Sequence, residues 1–140
     1  MAAAKLDPNT MKVLIAEDAE SVRFALRMAV QYLGHEVVGL AIDGQDAFDQ
    51  IDNVHPDLVL MDVRMPGMDG LTCTALVTQR DLKPKIIIVT AGRTPEEQAL
   101  KAGARGFVEK PFELGHLRRL LLEMAGRIAG SLQLCARLTG

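Results

Sequence analysis

The sequence predicts an α/β domain in which a five-stranded parallel sheet carries helices on both faces. Two patterns predict it: short, continuous apolar runs alternate five times with stretches of helical spacing, and polar or turn residues mark each change. The chain has 140 residues, enough for one domain with a real core and too few for two.

Taken in order, residues 1–10 (MAAAKLDPNT) read as a disordered leader. The clearest strands are Val13–Ala16, Leu58–Met61 and Ile86–Val89, with Glu36–Ile42 and Gly106–Val108 as weaker ones. Runs that are apolar throughout and rich in β-branched residues suit strands buried on both faces. Helical spacing falls at about Ala19–Leu33, Gln45–Asn53, Leu71–Gln79, Pro95–Ala102 and Glu113–Arg127.

The punctuation agrees. Gly34 is placed to stop the first helix, and Asp43-Gly44 forms a turn ahead of the second. Asp69 can cap the third helix. Thr94-Pro95-Glu96-Glu97 reads as an N-cap threonine, a proline at the first helical position and a capping-box glutamate. Asp46, Asp49 and Asp52 give the second helix a solvated face, and Met61, Met65 and Met68 read as packing and loop anchors. Leu114, Leu117, Leu121, Met124, Ile128, Cys135 and Leu138 fall near a heptad seam interrupted by Ser131. The favoured reading is an ordinary fifth helix with residues 128–140 as a partly ordered tail. The alternative is an extended helix that mediates dimerisation.

Composition excludes several classes. A net charge of −2 and a pI near 5.9 leave no global basic field for nucleic acid or anionic lipid. Cys73 and Cys135 are far apart, and His35, His55 and His116 are scattered, so a zinc site is not expected. The cysteines read as small buried hydrophobes. No apolar stretch spans a bilayer and no signal-peptide core opens the chain, which makes the expected location cytoplasmic.

The chemistry lies at the ends of the apolar runs. The first ends in Glu17-Asp18, the third in Asp62 and the fourth in Thr90, while the fifth reaches Lys110. In a parallel sheet these positions share the carboxyl edge, where open α/β sheets bind ligands. Crowded carboxylates raise one another's pKa unless a cation joins them. A hard divalent ion such as Mg2+ takes one or two carboxylates and keeps room for water and phosphate oxygens. A carboxylate can also act as a nucleophile toward phosphorus, with Lys110 and Thr90 placed to meet phosphoryl oxygens.

The segments Ile15-Ala16-Glu17-Asp18, Met61-Asp62-Val63-Arg64-Met65-Pro66-Gly67-Met68-Asp69-Gly70, Val89-Thr90-Ala91 and Phe107-Val108-Glu109-Lys110-Pro111-Phe112 resemble, in order and spacing, the CheY-like receiver domains of two-component response regulators. The resemblance covers about residues 11–127. It implies the doubly wound strand order 2-1-3-4-5. It further implies that Asp62 is the phosphoacceptor, that Glu17, Asp18, Asp62 and the backbone carbonyl of Arg64 hold Mg2+, and that Lys110 contacts the phosphoryl group. The Lys110–Pro111 bond is expected to be cis. Thr90 and Phe107 match a switch pair, with helix four, strand five and helix five as the output face. Glu17 stands where many members carry aspartate, a variation compatible with metal binding. Arg64 and Gly92 occupy positions that tune dephosphorylation in this family; the arginine arm either reaches the phosphoryl group or water, or projects into solvent.

Three functions compete on these residues. The first is a signalling module phosphorylated by a histidine kinase or histidine phosphotransfer protein and acting on a protein target or an effector domain, with no direct contact to nucleic acid or membrane. A homodimer through the output face or an extended fifth helix is compatible with it. The chain would then not be an enzyme, beyond taking phosphate from a donor and slowly losing it. The second is a phosphohydrolase of the haloacid-dehalogenase type, which needs a second aspartate where Arg64 stands, and a cap domain. The third is a phosphorylation-independent scaffold, which usually lacks part of the acidic set or the lysine retained here.

Overall fold

Each apolar run forms a strand because both faces of the sheet are covered. The computed structural model describes residues 9–92 and 94–126. The elements run β1 (Lys12–Ala16), α1 (Glu20–Tyr32), β2 (Glu36–Ala41), α2 (Gly44–Val54), β3 (Leu58–Met61), α3 (Gly70–Gln79), β4 (Lys85–Thr90), α4 (Glu96–Ala102), β5 (Gly106–Glu109) and α5 (Leu114–Ala125). The five strands are all parallel, in the order β2-β1-β3-β4-β5. The fold is therefore the doubly wound α/β sheet that the sequence predicts.

Successive strand residues point to opposite faces, so the alternation sorts each run into two cores. Val13, Ile15, Leu58, Leu60, Ile87 and Val89 meet Leu26 and Val30 of α1 and Leu117, Leu121 and Met124 of α5. On the other face, Leu14, Val59, Met61, Ile86 and Ile88 meet Ala47 and Ile51 of α2, Cys73 and Val77 of α3 and Ala99 of α4. Each fully buried Leu, Ile or Val contributes about 2 kcal/mol of transfer free energy. The order of strands reverses between β1 and β3, which places their carboxyl ends side by side at the sheet's switch point.

Helix ends obey the expected chemistry, with two corrections. Gly34 (φ +93°) ends α1: its N–H donates to the Gln31 carbonyl and that of His35 to the Val30 carbonyl, a Schellman closure that needs a left-handed residue. Asp69 caps α3 by accepting from the Thr72 N–H at 2.7 Å. The cap of α4, however, is Pro95 and not Thr94, because the Pro95 carbonyl is the first acceptor, from the N–H groups of Gln98 and Ala99. Proline therefore precedes the helix and does not form its first residue.

The second correction is Asp46, which does more than give α2 a solvated face. Asp43 caps α2 by accepting from the Asp46 N–H, and the Asp46 carboxylate reaches back to accept from the Ile42 N–H at 3.2 Å and the Gln50 side-chain amide at 3.1 Å. The methionines behave as packing anchors: Met61 and Met65 are buried, and the Met68 carbonyl accepts from the Gly44 N–H.

Cys73 is buried and free, and burial pushes its thiol up to about 12, the behaviour of a small core residue. Leu117, Leu121 and Met124 face the sheet, so this part of the heptad seam is core. Ile128, Cys135 and Leu138, the tail readings for residues 128–140 and most of the leader (1–8) lie outside the described residues. Among the described residues, no helix is long and apolar enough to cross a membrane.

Candidate functional site

The strand ends bring Glu17, Asp18, Asp62, Thr90 and Lys110 to one edge by continuing the sheet's hydrogen bonding one residue beyond it. The N–H of Glu17 donates to the Ala41 carbonyl, that of Asp62 to Ala16 at 2.9 Å, and that of Lys110 to Thr90 at 2.9 Å. The backbone at each of these three positions is therefore fixed by a neighbouring strand. The bond between Lys110 and Pro111 is cis, as the resemblance implies.

One carboxylate oxygen from each of Glu17, Asp18 and Asp62 lies within 4.8 Å of the other two. Glu17 and Asp62 are buried, at 1% and 5% exposure, while Asp18 opens to solvent. The Lys110 ammonium stands 2.5 Å from Glu17 Oε1 and 3.3 Å from Asp62 Oδ2. An all-oxygen donor set of this charge, open on one side, suits Mg2+ and not a thiolate-seeking metal. Thr90 is buried on the adjacent strand β4, and its hydroxyl donates to the Ala91 carbonyl at 3.2 Å. Phe107 on β5 is half-buried against the core on the α2-α3-α4 side.

Arg64 lies two residues beyond Asp62 in the β3–α3 loop and is exposed, yet its arm does not simply extend into solvent. The guanidinium lies over Gly92, where an added Cβ would stand 3.3 Å from Nη2. The arm thus bridges from the loop after β3 to the loop after β4.

Burial holds the Glu17 carboxyl above the ordinary glutamate value of 4.5, and the Asp62 charge adds to this, against hydrogen bonds from Lys110 and the Ala19 N–H that pull it down. A raised folded-state pKa means that the group's contribution to stability is fully present below the unfolded value and is lost as pH rises through the folded one. Glu17→Gln, neutral at every pH, is therefore expected to gain stability relative to the metal-free wild type as pH rises through the folded-state value. Thermal melts in chelator across pH 4–8 check this at the order of a few degrees; a lower melting temperature for the variant would mean that the ion pair with Lys110 outweighs the burial cost.

Two contributors were not singled out as site residues in the sequence. Gly70 opens α3 directly against the Asp62 carbonyl, and nothing in its surroundings distinguishes it from any glycine after a cap. Arg23, read only as part of the first helix, folds back so that Nη1 donates to the carbonyls of Glu17 (2.8 Å) and Asp18 (3.3 Å).

Comparison with known proteins agrees with this geometry. The family described as "Response regulator receiver domain" matches residues 13–122. The chain is 39% identical over 108 residues to the transcriptional regulatory protein PdtaR of Mycobacterium tuberculosis, covering 76% of this chain and 52% of that protein. It is 36% identical over 104 residues to the chemotaxis protein CheY of Thermotoga maritima, covering 73% and 87%. The signal receiver domain of the putative response regulator NarL from M. tuberculosis superposes with a TM-score of 0.77 at 32% identity, covering 83% and 96%.

A doubly wound sheet with an acidic cluster and a lysine at its switch point defines a receiver domain. The chain belongs to the response regulator receiver domain family. It spans about half the length of PdtaR, the first of these relatives.

Proposed function

We propose that the chain accepts a phosphoryl group on Asp62 and converts that event into a change of the surface formed by α4, β5 and α5. The observation that carries this is the Lys110 ammonium 3.3 Å from Asp62, on the same edge as three clustered carboxylates. Glu17, Asp18, Asp62 and the Arg64 carbonyl would hold Mg2+, whose charge offsets the carboxylates and screens the incoming phosphoryl oxygens. An Asp62 carboxylate oxygen attacks phosphorus and the donor's leaving group departs with the electron pair of the broken bond.

Lys110 then exchanges part of its contact with the carboxylates for the phosphoryl oxygens, and the Thr90 hydroxyl leaves the Ala91 carbonyl to donate to the same group. Phe107, half-buried next to these elements, is the side chain whose packing would report that movement. Turning a mostly inactive population into a mostly active one takes about 5.5 kcal/mol of differential binding, which a charge-clamped phosphoryl group is suited to supply. The expected donor is a phosphohistidine on a histidine kinase or phosphotransfer protein in the cytoplasm. The output is a protein target, an effector domain or a second copy meeting the α4-β5-α5 face.

The chain acts as an acceptor and switch, not as a turnover enzyme. A haloacid-dehalogenase-type hydrolase would need an acid at position 64, where the arginine lies over Gly92. Intact-mass spectrometry after incubation with acetyl phosphate tests the reading: a single phosphoryl adduct that requires Mg2+ is expected. No adduct with acetyl phosphate or with a phosphorylated kinase would leave a scaffold as the function.

Lys110→Ala separates chemistry from switching. The variant is expected to label with Mg2+ present, more slowly than wild type, but to lose the phosphorylation-dependent change in chemical shifts of α4, β5 and α5. A wild-type shift pattern in the labelled variant would remove Lys110 from the switch.

A further inference from the structure

Helix α1 starts without the residue that usually starts a helix. Its N-cap is Ala19, in extended conformation and with no side-chain hydrogen bond to the first turn. Ser, Thr, Asp or Asn at this position normally fixes the entering chain, and alanine cannot. The turn Glu17-Asp18-Ala19 is instead held by two other contacts. Glu17 Oε2 accepts from the Ala19 N–H at 3.1 Å, and the Arg23 guanidinium donates through Nη1 to the carbonyls of Glu17 and Asp18. The Arg23 N–H itself donates to the Ala19 carbonyl at 2.9 Å, which fixes the base of the side chain one turn into the helix.

We propose that Arg23 is a positioning residue for the metal site: by gripping the two carbonyls of the acidic pair it fixes the directions in which the Glu17 and Asp18 carboxylates leave the backbone. This rests on the reading of those carboxylates as the Mg2+ ligands. Three features favour it over a contact that merely steadies the helix. The carbonyls gripped belong to the two acids that must face Asp62 together, with oxygens within 4.8 Å. A cation folded toward a helix N-terminus opposes the helix dipole, so α1 gains nothing electrostatically from it. Arg23 is also half-buried, and one terminal nitrogen, Nη1, donates to both carbonyls at once, so the reach of this side chain ties the two residues together.

The sign of one measurement separates positioning from charge. Deleting a cation beside a dication site strengthens metal binding if charge alone matters, and weakens it if the ligands lose their alignment. Calorimetric titration of the full chain with MgCl2 is therefore the test, on wild type, Arg23→Met and Arg23→Lys, beside melting temperatures in chelator. Positioning predicts that the Mg2+ dissociation constant rises about tenfold in Arg23→Met, the usual cost of losing a group that orients ligands. It predicts a smaller rise in Arg23→Lys, which keeps the charge on a shorter arm. Should Arg23→Met fail to fold, the lysine variant decides alone. An unchanged or lower dissociation constant overturns the proposal, including the case where only the melting temperature falls. Wild type that binds no Mg2+ overturns the parent reading and this role with it; wild type that binds and labels beside unaffected variants overturns the Arg23 role alone.

Discussion

Asp62→Asn is expected to abolish the Mg2+-dependent phosphoryl adduct completely. The substitution is nearly isosteric, and the backbone bond from residue 62 to the Ala16 carbonyl does not involve the side chain, so the fold is retained. The chemistry is not, because a neutral amide oxygen lacks the electron density of a carboxylate and its nitrogen carries no available lone pair. A melting curve of the metal-free variant beside wild type separates lost labelling from unfolding. The comparison is intact mass after acetyl phosphate with Mg2+, on wild type and variant in parallel. Equal labelling of the two would move the acceptor elsewhere, with Glu17 and Asp18 as the nearest carboxylates. Partial labelling confined to those two residues would identify a substitute acceptor in a site still primed for the reaction.

Much of this site was legible because a parallel sheet turns sequence position into spatial position. Leu58–Met61 is bounded in the structure as it is in the sequence, since the strand ends at the first charged residue, where the backbone turns into the loop that carries Asp62. Once the strands are located, Asp62, Thr90 and Lys110 fall at their carboxyl ends without further information. The strand order was not legible in that way: alternation of elements fixes parallel pairing, and the order came with the resemblance.

The features that escaped depend on a side chain turning back along the chain. Thr94 looked like a cap because threonine before Pro-Glu-Glu is a good cap chemically, but the first accepting carbonyl belongs to Pro95. Asp46 looked solvated because it sits among aspartates on a polar helix, yet its carboxylate closes the turn before α2. Arg23 had no reading beyond its place in the first helix, yet its guanidinium turns back to the carbonyls of Glu17 and Asp18. In each case the residue type permits both readings, and only the local path of the backbone selects between them. Arg64 is the intermediate case: its carbonyl role comes with the resemblance, while the course of its arm across Gly92 required coordinates.

Gly70→Ala is expected to be the most destabilising small substitution near the site. A Cβ built on Gly70 would stand 1.9 Å from the Asp62 carbonyl oxygen and 2.8 Å from its carbon, with the Met61 side chain at 2.9 Å. The first two atoms are backbone in the residue just past β3, which β1 already holds through the Asp62 N–H, so they cannot yield as a flexible side chain would. The Gly70 N–H donates to the Val63 carbonyl at 2.9 Å, which ties the start of α3 to the same loop. Either α3 moves off the sheet, losing contacts of Cys73 and Val77, or the acceptor loop moves with it. Overpacking of this kind costs about 3 kcal/mol, and for a domain of this size that lowers the melting temperature by roughly 10 °C. Because the strain falls on the residue that carries the acceptor, labelling by acetyl phosphate should slow even below the melting range. Gly115→Ala is the internal control. It lies in the first turn of α5 with nothing within 4 Å of the added methyl, so the better helix propensity of alanine should leave stability unchanged or raised by up to about 1 kcal/mol. Equal tolerance of the two substitutions in denaturant unfolding would mean that the approach of α3 to Asp62 is looser than these distances, and that the acceptor loop is not braced from that side.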